Sequence, residues 1–262
     1  MKTRYYAAPM EGVTGAMWRR THQKYFPGAD QYYTPFLTPT QAHKLTPREK
    51  RELLPEYNGS AVLVPQIMTR QAENFIWCAG AMGELGKPYY KIPCGGSNAI
   101  GALGYVGCME EISKSGVHFD HIICAEGSGG THAGVALGAK LFLPGTKTMG
   151  IMVDSDPFDV ITLGIMRETA ALLQTDVEVG PEDIHLLDMC GPGYAIPSPE
   201  GNAAIRLMAE NEGLFLDPVY TGKAFAGLVK LAREGAFKPE DNVLFLYSGG
   251  AGGLFAVDVD LG

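Results

Sequence analysis

The chain has 262 residues, a net charge of −8, 46% hydrophobic residues and five cysteines. That is enough apolar mass for one large α/β domain or two modest ones. No apolar run approaches the roughly 20 residues of a membrane helix, and Met1-Lys2-Thr3-Arg4 leads into tyrosines and Pro9 rather than an apolar signal core, so no membrane partner and a cytoplasmic address are expected. Cys78, Cys94, Cys108, Cys124 and Cys190 are odd in number and far apart, which argues against a disulfide framework or a CxxC metal pair and for reduced thiols with no metal.

In chain order, the apolar runs Tyr5 to Ala8, Tyr32 to Phe36 and Val62 to Ile67 alternate with amphipathic stretches at Ala16 to Tyr25 and Ala72 to Leu85, the rhythm of βα units. Beyond Lys87 the rhythm continues. Strands are predicted at Tyr89 to Pro93, His121 to Ala125, Thr148 to Val153 and Asn242 to Tyr247. Helices are predicted over Ala99 to Ser115, from Gly130, after Pro157, over Pro199 to Asn211 and over Tyr220 to Glu234. Charge divides unevenly along this series: ten basic against seven acidic residues up to Gly86, eleven against twenty-two beyond it. The front therefore tolerates a polyanion better than the back.

The sharpest local chemistry is Gly127-Ser128-Gly129-Gly130-Thr131, between the apolar run Ile122 to Ala125 and a helix-compatible stretch. Glycines let backbone N–H groups approach a phosphate, the hydroxyls of Ser128 and Thr131 add donors, and a helix N-terminus adds partial positive charge. A tight strand-to-helix turn would use the same residues.

Four blocks in order, IPCGGSNAIGALGY (Ile92 to Tyr105), GSGGTHAG (Gly127 to Gly134), GPGYAIPS (Gly191 to Ser198) and EGLFLDPVYTGKA (Glu212 to Ala224), resemble the D-cysteine desulfhydrase and 1-aminocyclopropane-1-carboxylate (ACC) deaminase group of fold type II pyridoxal-phosphate enzymes. The resemblance covers residues 87–262. It implies that Gly127, Ser128, Gly129, Gly130 and Thr131 contact the cofactor phosphate, that Tyr194 and Tyr220 are the two active-site tyrosines, and that Ser248 faces the pyridine nitrogen. A hydroxyl there makes the ring a weaker electron sink than a carboxylic acid would, which suits elimination of a good leaving group such as a thiol. Thr221 after Tyr220 agrees with the desulfhydrase branch. The implied activity is a pyridoxal-phosphate-dependent lyase that converts D-cysteine, or a related β-substituted amino acid, to pyruvate, ammonia and sulfide. His132 reads as a helix-start residue and Lys223 as part of its helix. The family's Schiff-base lysine lies well before the GGSN block, and neither Lys44 nor Lys50 has its Gly-Asn-Lys context, so this chain is expected to be inactive.

The front carries AAPMEGVTG (Ala7 to Gly15), Tyr32 to Phe36, LLPEYN (Leu53 to Asn58) and VPQIMT (Val64 to Thr69), which resemble bacterial tRNA-dihydrouridine synthases, FMN-dependent (β/α)8 barrels. The resemblance covers residues 1–86. It implies FMN contacts from Pro9, Met10 and Gln66 at strand ends and tRNA as a partner of the front; a solvent-facing amide is the plainer reading of Gln66. Cys94 reads as a small buried residue. The expected fold class is α/β: an N-terminal partial (β/α) barrel fragment (1–86) followed by a partial fold type II domain with a parallel sheet (87–262). Three readings remain open: the lyase, with a homodimer as in its relatives; the flavin-dependent tRNA reductase; and a non-catalytic chimera. The back is expected to keep its parallel sheet and the front to leave apolar surface open.

Overall fold

The computed structural model describes residues 3–84, 93–257 and 259–261. The chain forms two compact units, Met1–Ile92 and Pro93–Gly262, and each builds its own parallel sheet. Gly86 and the strand expected over Tyr89 to Pro93, apart from Pro93 itself, lie outside the described residues. Among the described residues no helix is long and apolar enough to cross a membrane.

In the first unit, strands β1 (Tyr6–Ala7), β2 (Gln31–Leu37) and β3 (Leu63–Ile67) pair in chain order. Helix α1 (Ala16–Tyr25) follows β1 and α4 (Ala72–Glu84) follows β3, both close to the bounds expected from periodicity. Between β2 and β3 the chain forms α2 (Pro47–Leu53) and α3 (Pro55–Asn58), which hydrophobic periodicity did not announce. The signal for α2 was at its start: Thr46 and Glu49 form a reciprocal capping box with Pro47 at the first helical position.

The fully buried Arg19 ties these helices together. Its guanidinium donates to Thr14 O at 2.8 Å, to Asn58 Oδ1 at 2.7 Å, and to Glu52 O and Oε2 at 3.0 and 2.9 Å. Leu37, Leu53, Cys78 and Met82 form a small core, where burial, followed by Glu49, pushes the Cys78 thiol up to about 11. Three strands make an open sheet and not a closed barrel. Met17, Tyr25, Phe26 and Ile76 are each more than 60% exposed, as are Ile100, Val160 and Phe255 of the second unit, so exposed apolar side chains do not set the front apart.

The second unit is a three-layer α/β/α arrangement. Its elements are α5 (Ala99–Ser113), β4 (His121–Glu126), α6 (Gly130–Phe142), β5 (Lys147–Met152), α7 (Phe158–Leu172), β6 (Leu186–Asp188), α8 (Pro199–Glu212), α9 (Thr221–Arg233) and β7 (Val243–Phe245). The strands run parallel in the order β6-β5-β4-β7. Period-two alternation on β4 splits the core: Ile122 and Cys124 pack with Met109 of α5 and Val135 of α6, while Ile123 packs with Ile151 and Ala224 of α9 on the opposite face. Helices α5 and α6 approach closely because Gly134 and Gly138 lack side chains. A Cβ at Gly134 would lie 2.4 Å from Ala102 O, and one at Gly138 2.7 Å from Met109 Cβ.

Strands β4, β5 and β7 fall within a few residues of their expected bounds, whereas β6 was not anticipated. Only three residues long, it gains its partners from β5, with Gly150 opposite Leu186 and Met152 opposite Asp188. The order also sets the site. From β4 the chain moves outward through β5 to β6, then returns to place β7 on the other side of β4. The carboxyl end of β4 is thus a topological switch point, the usual location of a ligand crevice in an open α/β sheet.

Candidate active site

The glycine loop occupies this switch point. Glu126 ends β4, Gly129 is the N-cap of α6 with φ +88, and Gly130 opens the helix. A left-handed Gly129 turns the chain from strand into helix without the strain that a side chain would bring. Above it lies the turn Cys94–Gly96, followed by Ser97, whose Oγ bonds Ser128 Oγ at 2.8 Å and accepts from Gly130 N at 3.2 Å. Asn98 caps α5 by accepting from Gly101 N at 2.8 Å. The N-termini of α5 and α6 therefore meet at Ser97 and Ser128, and two partial positive ends converge on one spot.

Glu126 shapes the loop, a role sequence reasoning missed. Its buried carboxylate accepts from Gly129 N at 2.7 Å and from Thr162 Oγ1 of α7 at 2.8 Å, and it faces His132 Nδ1 at 3.2 Å. His132 is the helix-start residue expected, in the first turn of α6, and is also a buried partner of Glu126. Beside a carboxylate, Nδ1 carries the proton; Nε2 is buried and has no hydrogen-bond partner among the described residues. The N–H of Gly129 is turned inward to Glu126 and that of Gly130 to Ser97. The first-turn N–H of Thr131, whose helical acceptor is missing by construction, and the hydroxyls of Ser128 and Thr131 are further donors at this end, while the Ser97 hydroxyl is given to Ser128 Oγ.

Tyr194 and Tyr220 come together from distant parts of the chain. Their hydroxyls are hydrogen-bonded and their rings meet edge to face, with centroids 5.9 Å apart. Tyr220 also abuts the glycine loop, since a Cβ on Gly127 would lie 3.2 Å from its Cε1. Burial, then the Tyr194 hydroxyl, raises the Tyr220 phenol above its ordinary pKa. Its backbone is fixed by Asp217, a buried residue also missed from sequence, which accepts from Val219 N and Tyr220 N at 2.8 Å, Thr221 N at 2.9 Å and Thr221 Oγ1 at 2.7 Å. The Asp-x-x-x-Thr spacing before α9 was the available signal. Ser248 is exposed and follows β7, whose pairing to β4 continues through Leu246 N to Ile123 O at 2.8 Å, so it stands beyond the same carboxyl end of the sheet as the loop.

A phosphate fits this end; a covalent anchor does not. Among the second unit's described lysines, Lys147 opens β5, while Lys114, Lys140 and Lys230 lie near the C-terminal ends of helices, and Lys238 follows the end of α9. Only Lys223 lies in a helix's first turn, and its Nζ donates to Cys190 O at 2.7 Å and Gly193 O at 2.8 Å. Burial pulls that ammonium below the ordinary lysine range. Cys94, read as buried, is exposed, because its turn lies over the loop rather than in the core.

The residues implied for a flavin are in the first unit. Gln66 donates from Nε2 to Thr34 O at 2.7 Å and from N to Thr34 Oγ1 at 3.2 Å, at the register shift around Pro35 in β2. Proline breaks the ladder there, and the glutamine amide supplies the missing donor, so Gln66 is neither a free flavin contact nor a solvent-facing amide. Pro9 and Met10 follow β1, Met10 N donating to Thr14 Oγ1 at 2.7 Å.

The sequence profile described as "Pyridoxal-phosphate dependent enzyme" matches residues 40–249. The chain belongs to this family. The family's match includes Gln66 and begins well before the junction drawn at residue 86, and it supports the pyridoxal-phosphate reading rather than the flavin one. Similar members include a D-cysteine desulfhydrase of Yersinia enterocolitica, 45% identical over 173 residues, covering 64% of this chain and 52% of the relative. A D-cysteine desulfhydrase of Klebsiella pneumoniae is 36% identical over 220 residues, covering 83% of this chain and 67% of the relative. The crystal structure of an ACC deaminase homologue is 31% identical with a TM-score of 0.67, covering 95% of this chain and 74% of that one. At 52% coverage, the chain spans about half the length of the curated relatives it matches first.

Proposed function

We propose that the second unit is the phosphate-holding and substrate-facing part of a pyridoxal-phosphate-dependent lyase acting on D-cysteine or a related β-substituted amino acid, with pyruvate, ammonia and sulfide as products. The observation that carries this reading is the Tyr194–Tyr220 pair seated against the glycine loop at the switch point. Bound there, the cofactor would supply an electron sink for the carbanion at the substrate Cα. Thr131 N and the hydroxyls of Ser128 and Thr131 would hold the phosphate, aided by the converging N-termini of α5 and α6. Tyr220 Oη keeps its proton through neutral pH and can give it to a departing thiolate sulfur as the C–S bond breaks. Ser248 is the proposed hydroxyl toward the pyridine nitrogen. Lys223 is committed to two carbonyls, which leaves it unavailable as the lysine that carries the cofactor and moves the Cα proton.

The test is pyridoxal-phosphate binding to the full chain with inorganic phosphate as competitor, followed by borohydride reduction and mass spectrometry. Phosphate-competitive binding without an adduct on Lys223 supports the reading, and no binding sinks it. A reduced adduct together with sulfide release from D-cysteine would identify the lysine and the activity at once. A flavin site on the first unit, with tRNA as its substrate, is the second reading. It is favoured by the chain-order pairing β1-β2-β3, the order of a singly wound βα array. Added FMN would acquire a protein-bound flavin spectrum, and an unchanged free-flavin spectrum dismisses it.

A further inference from the structure

We propose that Lys223 is a positioning residue, one that places Tyr194 against Tyr220 by clamping the backbone of the loop that carries Tyr194; this rests on the lyase reading. Lys223 is fully buried in the first turn of α9, three residues after Tyr220. Its Nζ reaches back 33 and 30 residues to Cys190 O and Gly193 O, the carbonyls that bracket Gly191-Pro192, the second of them belonging to the residue before Tyr194. Burying an ammonium is costly unless its donors are satisfied, and an apolar side chain of the same length would pack here without that cost. The stem is packed as well: a Cβ on Gly201 of α8 would lie 3.5 Å from Lys223 Cγ.

The loop needs such a clamp. Gly191, Gly193 and Ala195 have φ of +62, +145 and +61, so Tyr194 sits between left-handed residues, one of them an alanine that pays steric strain there. Such a backbone persists when its surroundings fix it. The start of α9 and the turn before it thus secure both tyrosines, Asp217 by holding Tyr220 N at 2.8 Å and Lys223 by holding the residue before Tyr194. The charged and titratable groups around the Tyr220 phenol are Tyr194, Asp217 and Cys94, and those around the ammonium are Cys190 and Asp154.

The experiment compares the full-length chain with Lys223→Met, Tyr194→Phe and the double variant. It reads amide hydrogen exchange over residues 190–196 and the alkaline ultraviolet titration of Tyr220, assigned by Tyr220→Phe. Lys223→Met is expected to speed exchange in that loop by about tenfold or more while residues 127–142 stay protected. It should also lower the Tyr220 titration as far as Tyr194→Phe does, with no further change in the double variant. A folded Lys223→Met with unchanged loop exchange and unchanged titration overturns the proposal. If Lys223→Met does not fold, Lys223→Gln decides, because its shorter amide cannot reach both carbonyls; wild-type exchange and titration in that variant overturn the proposal equally. Pyridoxal-phosphate binding is read separately on the wild type. Its absence sinks the lyase reading and leaves the loop result standing, whereas its presence beside an unchanged loop sinks only the role of Lys223.

Discussion

Replacing Glu126 by alanine should destabilise the second unit by about 3–5 kcal/mol. The carboxylate receives Gly129 N at 2.7 Å, Thr162 Oγ1 at 2.8 Å and His132 Nδ1 at 3.2 Å, all in buried surroundings. An orphaned buried donor costs roughly 1–3 kcal/mol, and Thr162 can recover part of that by rotating its hydroxyl toward its own helix. Gly129 and His132 have no such recourse, and the stated range lies in the middle of the roughly 2–6 kcal/mol that two orphaned donors span. Glutamine keeps one acceptor oxygen but turns an NH2 toward a donor, so Glu126→Gln should lose less, about 1–3 kcal/mol. The assay can be confined to the right unit, because both tryptophans, Trp18 and Trp77, belong to the first. Urea unfolding by tryptophan fluorescence should be unchanged, while the exchange free energy of β4 and α6 amides falls by the stated amount. A loss below about 1 kcal/mol for alanine would refute the reasoning, since it would mean that those donors are satisfied some other way.

Other expectations follow from the same geometry. Because the folded state holds the Tyr220 phenol above its ordinary pKa, the stability from this group is intact below about pH 10 and is lost as pH rises beyond; Tyr220→Phe should flatten that alkaline fall in a pH series of urea midpoints. Asp217→Ala removes the acceptor for four donors at the start of α9 and should cost about 2–4 kcal/mol, read by exchange of α9 amides. In native thiol labelling followed by peptide mapping, exposed Cys94 reacts first. Buried Cys78 and Cys124, both with thiols held above their ordinary range by burial, resist until unfolding. Arg19→Met should loosen the first unit by about 3–5 kcal/mol through the unpaired Glu52 carboxylate and Asn58 amide, seen as an earlier tryptophan transition while the second unit is unaffected.

The helices that bury one face were legible because their period and punctuation agree: α1, α5 and α6 begin and end near where glycine, asparagine and the apolar spacing put them. The strand β6 was not, because three residues carry no period and their pairing comes entirely from β5. In the site, the glycine loop and the two tyrosines could be named from motifs. Asp217 had a local signal in its Asp-x-x-x-Thr spacing, but Glu126 and Lys223 could not be read as they are, because a charged residue looks like solvated surface until its partners are known. Thr162 is 36 residues from Glu126, and the two carbonyls are 33 and 30 residues from Lys223.

The sequence by itself determined that this chain is α/β in both parts, that it carries a glycine loop between a strand and a helix, and that its second part resembles pyridoxal-phosphate lyases. Those properties rest on local spacing and composition, which survive without tertiary contacts. Only the tertiary structure decided where the donors of the loop point, that Gln66 repairs the ladder at Pro35, and that Lys223 is spent on two backbone carbonyls of a loop. Each of these depends on which distant group satisfies a buried donor or acceptor, and that assignment exists only once the sheet order has brought the groups together.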